Sequence, residues 1–154
     1  MTTTPTPPDD GDLFAALPLP DDDAMRLLHG RLAVAAADAG ILDVAYRTID
    51  SPLGTLLLAG TAKGLVRVAY AIEDHDAVLD RLANTVSPRI LNAPARLDRA
   101  AREFDEYFAG RRNLFDLPLD LQLTHGFRRI VLTHLPEIGY GRTASYATVA
   151  AASG

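Results

Sequence analysis

The stretch that decides the fold is residues 44–70, with the sequence VAYRTIDSPLGTLLLAGTAKGLVRVAY. In its first part, Val44, Tyr46 and Thr48 alternate with Ala45, Arg47 and Ile49. The last part, LVRVAY, alternates in the same way, as the two faces of a strand do. The segments SPLG at 51–54 and GTAKG at 60–64 have the composition of tight turns. We therefore predict three antiparallel strands joined by two hairpin turns.

Helical periodicity flanks this predicted sheet on both sides. Residues 24–40, AMRLLHGRLAVAAADAG, form a predicted helix that is capped by the preceding acidic run and stopped by its final glycine. We expect its packing face to comprise Met25, Leu28, Leu32 and Ala35 or Ala36. Further helices are predicted at residues 74–86 and between Pro94 and Gly110. The apolar stripe of the last one comprises Leu97, Ala100, Ala101, Phe104, Tyr107 and Phe108.

Composition and charge divide the chain into three parts. The 154 residues carry a net charge of −5 and are 48% hydrophobic, which is enough apolar material to bury a core. Residues 1–24 hold six Asp and no basic residue, so we predict a flexible acidic tail there. Pro118 interrupts an extended stretch that connects two packing units. The sequence therefore predicts an N-terminal α/β domain at residues 25–120 and the start of an all-helical unit at residues 121–154.

Several kinds of chemistry are absent from these residues. The sequence contains no cysteine, which excludes disulfides, thiolate metal sites and a cysteine nucleophile within it. The four histidines lack the spacing of metal ligands, and we expect no metal and no cofactor. No apolar run approaches the roughly 18 residues of a membrane helix, and the first residues lack the pattern of a secretory signal. We therefore expect a cytoplasmic protein without a membrane partner.

The most basic part of the chain contains the candidate binding residues. Residues 121–154 hold three Arg and one Glu, and Arg128 and Arg142 belong to this group. A helix that begins at Ser145 and Tyr146 would present free N–H groups, a hydroxyl and a phenol, which suit a sugar-phosphate backbone. The same residues also suit a capped helix with a packed tyrosine. On residue chemistry alone, both interpretations stay open.

The charged residues of the helix that ends at Gly110 have a plainer interpretation. Arg99 and Glu103 are spaced i,i+4, as in the ion pairs that line exposed helix faces. We therefore expect this pair to belong to a solvated surface.

Four motifs follow one another in the second half of the chain. They are EYFAG at 106–110, FDLPL at 115–119, a Phe-led helix and turn at 127–141, and TASYATVA at 143–150. Together with the SPLG turn, this ordered set resembles the methylated-DNA-protein-cysteine methyltransferases, also called alkylguanine-DNA alkyltransferases. The resemblance covers residues 44–154, with minor departures such as Gly139 where the family usually has Pro.

The resemblance implies a fold and a reaction. The fold is α+β, with a three-stranded antiparallel sheet and helices, followed by the start of an all-helical, winged-helix-like DNA-binding domain. The reaction is DNA repair, in which an alkyl group moves irreversibly from O-alkylated guanine to a cysteine of the protein, with no cofactor. The partner is double-stranded DNA, bound by a monomer. Tyr146 resembles the residue that contacts the flipped base, Ser145 is its helix-start neighbour, and Arg128 and Arg142 are expected to meet DNA.

The acceptor cysteine of this family lies in a Pro-Cys-His-Arg-Val segment, which would follow Gly154. We therefore expect the 154-residue chain to have no catalytic residue of its own and to be inactive alone. Two alternatives are a non-catalytic, alkyltransferase-like DNA-binding protein and a structural remnant of the sheet domain.

Overall fold

The computed structural model describes residues 21–126, 129, 132–133 and 138–143. Its helices are α1 (Asp22–Asp38), α2 (His75–Thr85) and α3 (Asp98–Phe108), and its strands are β1 (Val44–Ile49), β2 (Leu56–Thr61), β3 (Gly64–Ala69) and β4 (Ile90–Asn92). Short 3₁₀ helices lie at Pro94–Leu97 and Leu121–Leu123. In this described part, no helix is both long and apolar enough to cross a membrane.

The sheet has four strands in the order β3-β2-β1-β4. The predicted meander of β1, β2 and β3 is confirmed, with antiparallel pairs such as Thr48–Leu57 and Leu58–Val68. The predicted count of three strands is wrong, because β4 pairs in parallel with β1 from Val44–Ile90 to Tyr46–Asn92. β4 is only three residues long, which is too short to show an alternating pattern.

Both faces of the sheet are covered. One face packs against α2, where Val44, Leu57, Ala59 and Ala69 of the sheet meet Val78 and Leu82 of the helix. The opposite face packs against α1 and α3, through residues that include Leu56, Leu58, Leu97, Ala100 and Ala101. Because β2 lies inside the sheet with helices on both sides, its LLLA run is buried without alternation.

The predicted packing face of α1 is wrong in its larger residues. Leu28 and Leu32 are 52% and 51% exposed, whereas Ala33 and Ala36 are buried. Small side chains allow the helix to approach the sheet closely, so α1 packs through its alanines and turns its leucines away. The predicted cap is confirmed, because the carboxylate of Asp21 accepts the Ala24 N–H.

α1 begins at Asp22, inside the segment 1–24 that the composition assigns to an acidic tail. The rest of that segment, residues 1–20, lies outside the described residues.

After α3 the chain crosses the molecule as a connecting segment, residues 110–120. Gly110 adopts a φ of 70° at the end of the helix, which is a conformation that glycine takes without strain. The segment then reaches the outer edge of the sheet, where Leu119 forms a parallel bridge with Leu65 of β3. The connecting segment therefore joins α3 to residues 121–154, which include the predicted binding residues.

Candidate nucleic-acid interface

The connecting segment is attached to α3 through a buried carboxylate. Glu103 is 3% exposed, and one of its oxygens accepts the backbone N–H of Asp116 at 2.7 Å. The guanidinium groups of Arg112 and Arg99 lie at 3.1 and 3.3 Å from the carboxylate. The expectation of a solvated Arg99–Glu103 pair is therefore wrong for Glu103, because the connecting segment covers that side of α3.

Glu103 is ionised in this environment. Burial raises the pKa of its carboxyl. The N–H of Asp116 and the charges of Arg99 and Arg112 lower this pKa by more than burial raises it, so the pKa lies below the ordinary 4.5. The charged form of Arg112 is stabilised in turn, because the hydrogen bond to Glu106 and the charges of the carboxylates raise the pKa of this guanidinium. The cluster is thus a charged anchor at the start of the connecting segment.

The two arginines of this anchor hold several further groups of the connecting segment. Arg112 donates to Glu106 at 2.8 Å and to the carbonyl oxygen of Leu114 at 3.0 Å. Arg99 also donates to the carboxylate of Asp116 at 2.6 Å. The segment from residue 112 to residue 116 is therefore held over α3 by both its backbone and its side chains.

Aromatic packing joins two of the sequence motifs. The ring of Phe115, in the FDLPL motif, lies 4.9 Å from the ring of Phe104 and 5.1 Å from that of Tyr107, in the EYFAG motif. Tyr107 and Phe108 meet edge to face at 5.5 Å. Such ring pairs stabilise beyond the area that they bury. The predicted aromatic stripe of α3 therefore contacts the connecting segment as well as the core.

A second anchor lies at the end of the connecting segment. The N–H of Leu65 donates to the carbonyl oxygen of Pro118 at 2.8 Å, and the N–H of Asp120 donates to the carbonyl oxygen of Leu65 at 2.9 Å. The side chain of Asp120 is buried and accepts from the hydroxyl of Thr61 at 2.5 Å. Asp120 also caps the 3₁₀ helix at Leu121–Leu123, because its carboxylate accepts the N–H of Gln122 at 3.2 Å.

Close approach at this second anchor depends on one glycine. Gly64 has a φ of 143°, and a Cβ placed there would overlap the carbonyl of Pro118. Only glycine allows the connecting segment to lie this close to the β2–β3 hairpin. The hairpin predicted at residues 60–64 is confirmed, and it also serves as the docking point for Pro118.

Of the four predicted binding residues, the structure places Arg142. This residue is exposed, and its N–H donates to the carbonyl oxygen of Gly139 at 3.0 Å, which closes a turn. Gly141 in the same turn has a φ of 74°. Tyr146, Ser145 and Arg128 lie outside the described residues.

The sequence reasoning missed Glu103 and Asp120, which hold the connecting segment. One feature of the sequence does indicate that Glu103 is buried, because it lies between Ala101 and Phe104 of the buried face of α3. The two arginines that pair with it, Arg99 and Arg112, lie four residues before it and nine residues after it. Among the described residues, no group of three His, Asp or Glu side chains is arranged to hold a metal ion.

Comparison with known proteins identifies the domain. The family model described as "6-O-methylguanine DNA methyltransferase, ribonuclease-like domain" matches residues 44–121. The constitutive methylated-DNA-protein-cysteine methyltransferase of Bacillus subtilis is 36% identical over 109 residues, which cover 71% of this chain and 63% of that protein. The methylated-DNA-protein-cysteine methyltransferase of Mycolicibacterium paratuberculosis is 35% identical over 70% of this chain and 59% of its own length.

Solved structures give the same result. The O6-methylguanine methyltransferase of Mycobacterium tuberculosis superposes with a TM-score of 0.57 at 32% identity, over 72% of this chain and 62% of that chain. A structure of the Mycobacterium tuberculosis OGT in complex with DNA gives a TM-score of 0.54 at 32% identity, with 71% and 62% covered. The chain thus spans about six tenths of the length of these relatives.

The four-stranded sheet, its flanking helices and the anchored connecting segment define an α+β domain of the ribonuclease-like class. The family model covers half of the chain and coincides with β1 to the start of the last 3₁₀ helix. The chain belongs to the 6-O-methylguanine DNA methyltransferase family. The resemblance predicted from its motifs is therefore confirmed, and so is the α+β fold.

Proposed function

We propose that this protein serves in the repair of DNA that contains O-alkylated guanine. The observation that carries the proposal is the match of residues 44–121 to the family model. Two further findings support it: the relatives are named methylated-DNA-protein-cysteine methyltransferases, and one similar solved structure contains DNA. In this proposal the partner is double-stranded DNA, and one copy of the protein acts on each lesion.

The proposal assigns different roles to the parts of the chain. Residues 25–120 support the site, and residues 121–154 contribute the start of a winged-helix-like DNA-binding domain, preceded by the acidic segment 1–24. The two anchors of the connecting segment favour this division. The second anchor fixes Asp120 to the β2–β3 hairpin, so the part of the chain held to the sheet extends to residue 120. The DNA-contacting residues are then Tyr146 at the flipped base, with Ser145, Arg142 and Arg128 at the phosphates.

Alkyl transfer also needs a group that these residues do not contain. The reaction forms a carbon–sulfur bond and breaks the bond between the alkyl carbon and the guanine oxygen, so a thiolate must be the nucleophile. The 154 residues include no cysteine. We propose that a polypeptide of these residues alone accepts no alkyl group, and that its contribution to repair is support and DNA contact.

Two measurements on the 154-residue protein test the proposal. Duplex oligonucleotides that contain guanine with a labelled O-methyl group should leave the protein unlabelled, and label on the protein would refute the proposed inactivity. Binding to the same duplex should weaken as salt rises, because phosphate contacts release counterions. Binding that is undetectable at low salt would refute the DNA-contacting role of residues 121–154.

A further inference from the structure

Helix α1 is attached to the sheet mainly through small side chains. Of its 17 residues, Ala33 and Ala36 are the two that are buried. Its large apolar side chains are exposed instead, by 37% for Met25, 65% for Leu27, 52% for Leu28, 51% for Leu32 and 61% for Val34. A helix that is apolar around most of its circumference is normally enclosed by protein. The apolar surface of α1 therefore lacks a cover in the described part of the chain.

One row of apolar side chains forms a continuous seam along α1. Its members are Met25, Leu28, Leu32, Ala35 and Ala39. They recur at alternating intervals of three and four residues, which is the spacing of the a and d positions in paired helices. At about 100° per residue they fall within an arc of about 80°, whose centre lies about 90° from that of Ala33 and Ala36. The seam thus runs beside the face that packs on the sheet, and it contains no charged residue.

We propose that this seam packs against the same seam of a second copy of the chain, in an antiparallel pair of helices related by a two-fold axis. In this pairing Leu28 faces Leu32 of the second copy, and Met25 faces Ala35 of the second copy. The two central layers therefore pair leucine with leucine, and the two outer layers pair a large side chain with a small one, which fills the space evenly. A two-fold axis brings one surface against itself, so this self-complementary seam has the form that a dimer requires.

A parallel pair of α1 helices fits less well. It would place Ala35 opposite Ala35 and leave a gap in that layer. It would also bring the acidic residues 21–23 of both copies side by side, where like charges repel. In the antiparallel pair these N-termini lie about 26 Å apart, which is the length of the 17-residue helix.

Polar residues flank the seam on both sides. Arg31 and His29 lie about 80° from its centre on opposite sides, so each meets its own copy near the two-fold axis. The Arg31 contact opposes the pair modestly, because these side chains are long and exposed and can extend into water. Asp22 and Asp38 lie on opposite sides of the seam and do not face each other across the interface. Salt screens the Arg31 contact and the net charge of −5 on each copy, so it should strengthen the dimer.

The size of the contact sets its strength. A third of the surface of the 17-residue helix amounts to roughly 300–400 Å² per copy. The pair therefore buries roughly 600–800 Å², which is less than the area of about 1,200 Å² that a stable interface needs. The dimer is thus weak, with a dissociation constant of roughly 10–1,000 µM. At lower concentrations the protein is monomeric, which agrees with one copy acting at each lesion.

Sedimentation equilibrium from about 10 µM to about 1 mM tests the dimer. The apparent mass of the 154-residue protein should rise with concentration from 16.5 kDa towards twice that value. A mass that remains at 16.5 kDa over the whole range would overturn the proposal. A dimer that weakens as salt is added would contradict the arrangement of charges.

Two double variants locate the interface. Leu28→Gln with Leu32→Gln should raise the dissociation constant at least tenfold, whereas the matched control, Leu27→Gln with Val34→Gln on the other side of α1, should change it less than threefold. All four side chains are exposed in a single copy, so neither variant loses core packing, and circular dichroism checks that both keep their fold. Equal losses in the two variants, or no loss in the seam variant, would overturn the proposal.

The absence of cysteine allows the orientation to be measured. A mixture of the Leu28→Cys and Leu32→Cys proteins should form more disulfide-linked dimer on oxidation than either protein alone, because position 28 of one copy faces position 32 of the other. More linkage in each protein alone than in the mixture would refute the antiparallel pair.

Discussion

The carboxylate of Glu103 accepts the backbone N–H of Asp116 at 2.7 Å, and this bond joins α3 to the connecting segment through a buried charge. A buried carboxylate is stable only when its charge and lone pairs are satisfied. Here two arginines and one backbone N–H satisfy them. The role of this cluster is therefore testable by removing one group at a time.

Replacing Glu103 by Ala should lower the free energy of unfolding by about 1–3 kcal/mol, because it removes hydrogen bonds to a charged group and leaves the Asp116 N–H without its acceptor. Glu103→Gln keeps an acceptor oxygen and should cost less. Urea unfolding of both variants measures the difference. The matched control is Glu106→Ala, which removes a pair with Arg112 at the edge of the cluster; equal losses at positions 103 and 106 would contradict the assignment.

Stability should fall in acid. The folded-state pKa values of Glu103, Glu73 and Asp43 are all lowered, chiefly by hydrogen bonds from Asp116, Tyr70 and Ser87 respectively, against the opposing effect of burial. A lowered pKa means that the unfolded chain binds more protons, so the stabilisation is present above the ordinary values near 4 and is lost as pH falls through the folded values.

Urea midpoints measured from neutral pH down to about pH 3 check this dependence. Glu103→Gln should flatten the acid limb of the curve, since it removes one of the three groups. A midpoint that stays constant or rises in acid would be incompatible with these ionised carboxylates.

Replacing Gly64 by Ala should displace the connecting segment from the sheet edge. The new Cβ would overlap the carbonyl of Pro118 in addition to straining the backbone. Amide hydrogen exchange at Leu65 and Asp120 should accelerate, with little change at Leu57 in the centre of the sheet. Gly110→Ala is the control, because it has a φ of 70° and nothing within 4 Å; it tests strain without overlap.

Replacing Arg142 by Ala should weaken binding to duplex DNA and reduce the slope of log affinity against log salt by about one, as expected for the loss of one phosphate contact. Fluorescence anisotropy with a labelled duplex measures both quantities. Arg102→Ala removes an exposed arginine of α3 and should leave the slope unchanged. The same slope in all three proteins would remove Arg142 from the interface.

Sequence patterns predicted those parts of the fold that depend on local order. The β1–β2–β3 meander follows from alternation and turn composition, and the two turns are placed as predicted. β4 escaped prediction because a three-residue strand has no readable period, and it forms only where β1 offers a partner. The face of α1 was wrong because leucines and alanines lie on adjoining sides of that helix, and the close approach of the sheet selected Ala33 and Ala36.

The site was less accessible to sequence reasoning. The burial of Glu103 depends on a segment that is close in space but 13 residues away from it at Asp116. Spacing within α3 therefore suggested only an exposed pair with Arg99. The residues chosen at the C-terminal side, Tyr146, Ser145 and Arg128, remain predictions, because they lie outside the described residues.

The parallel pair between β1 and β4 has a consequence for how the chain folds. β1 is an inner strand, yet its neighbour on one side comes from residues 90–92, more than 40 positions later in the chain. During synthesis, the β1–β2–β3 hairpins can form first, and β1 then presents a row of unpaired N–H and C=O groups until β4 arrives. Until residues 90–92 have been added, β1 is thus an edge strand whose free backbone groups can pair with a strand of another chain.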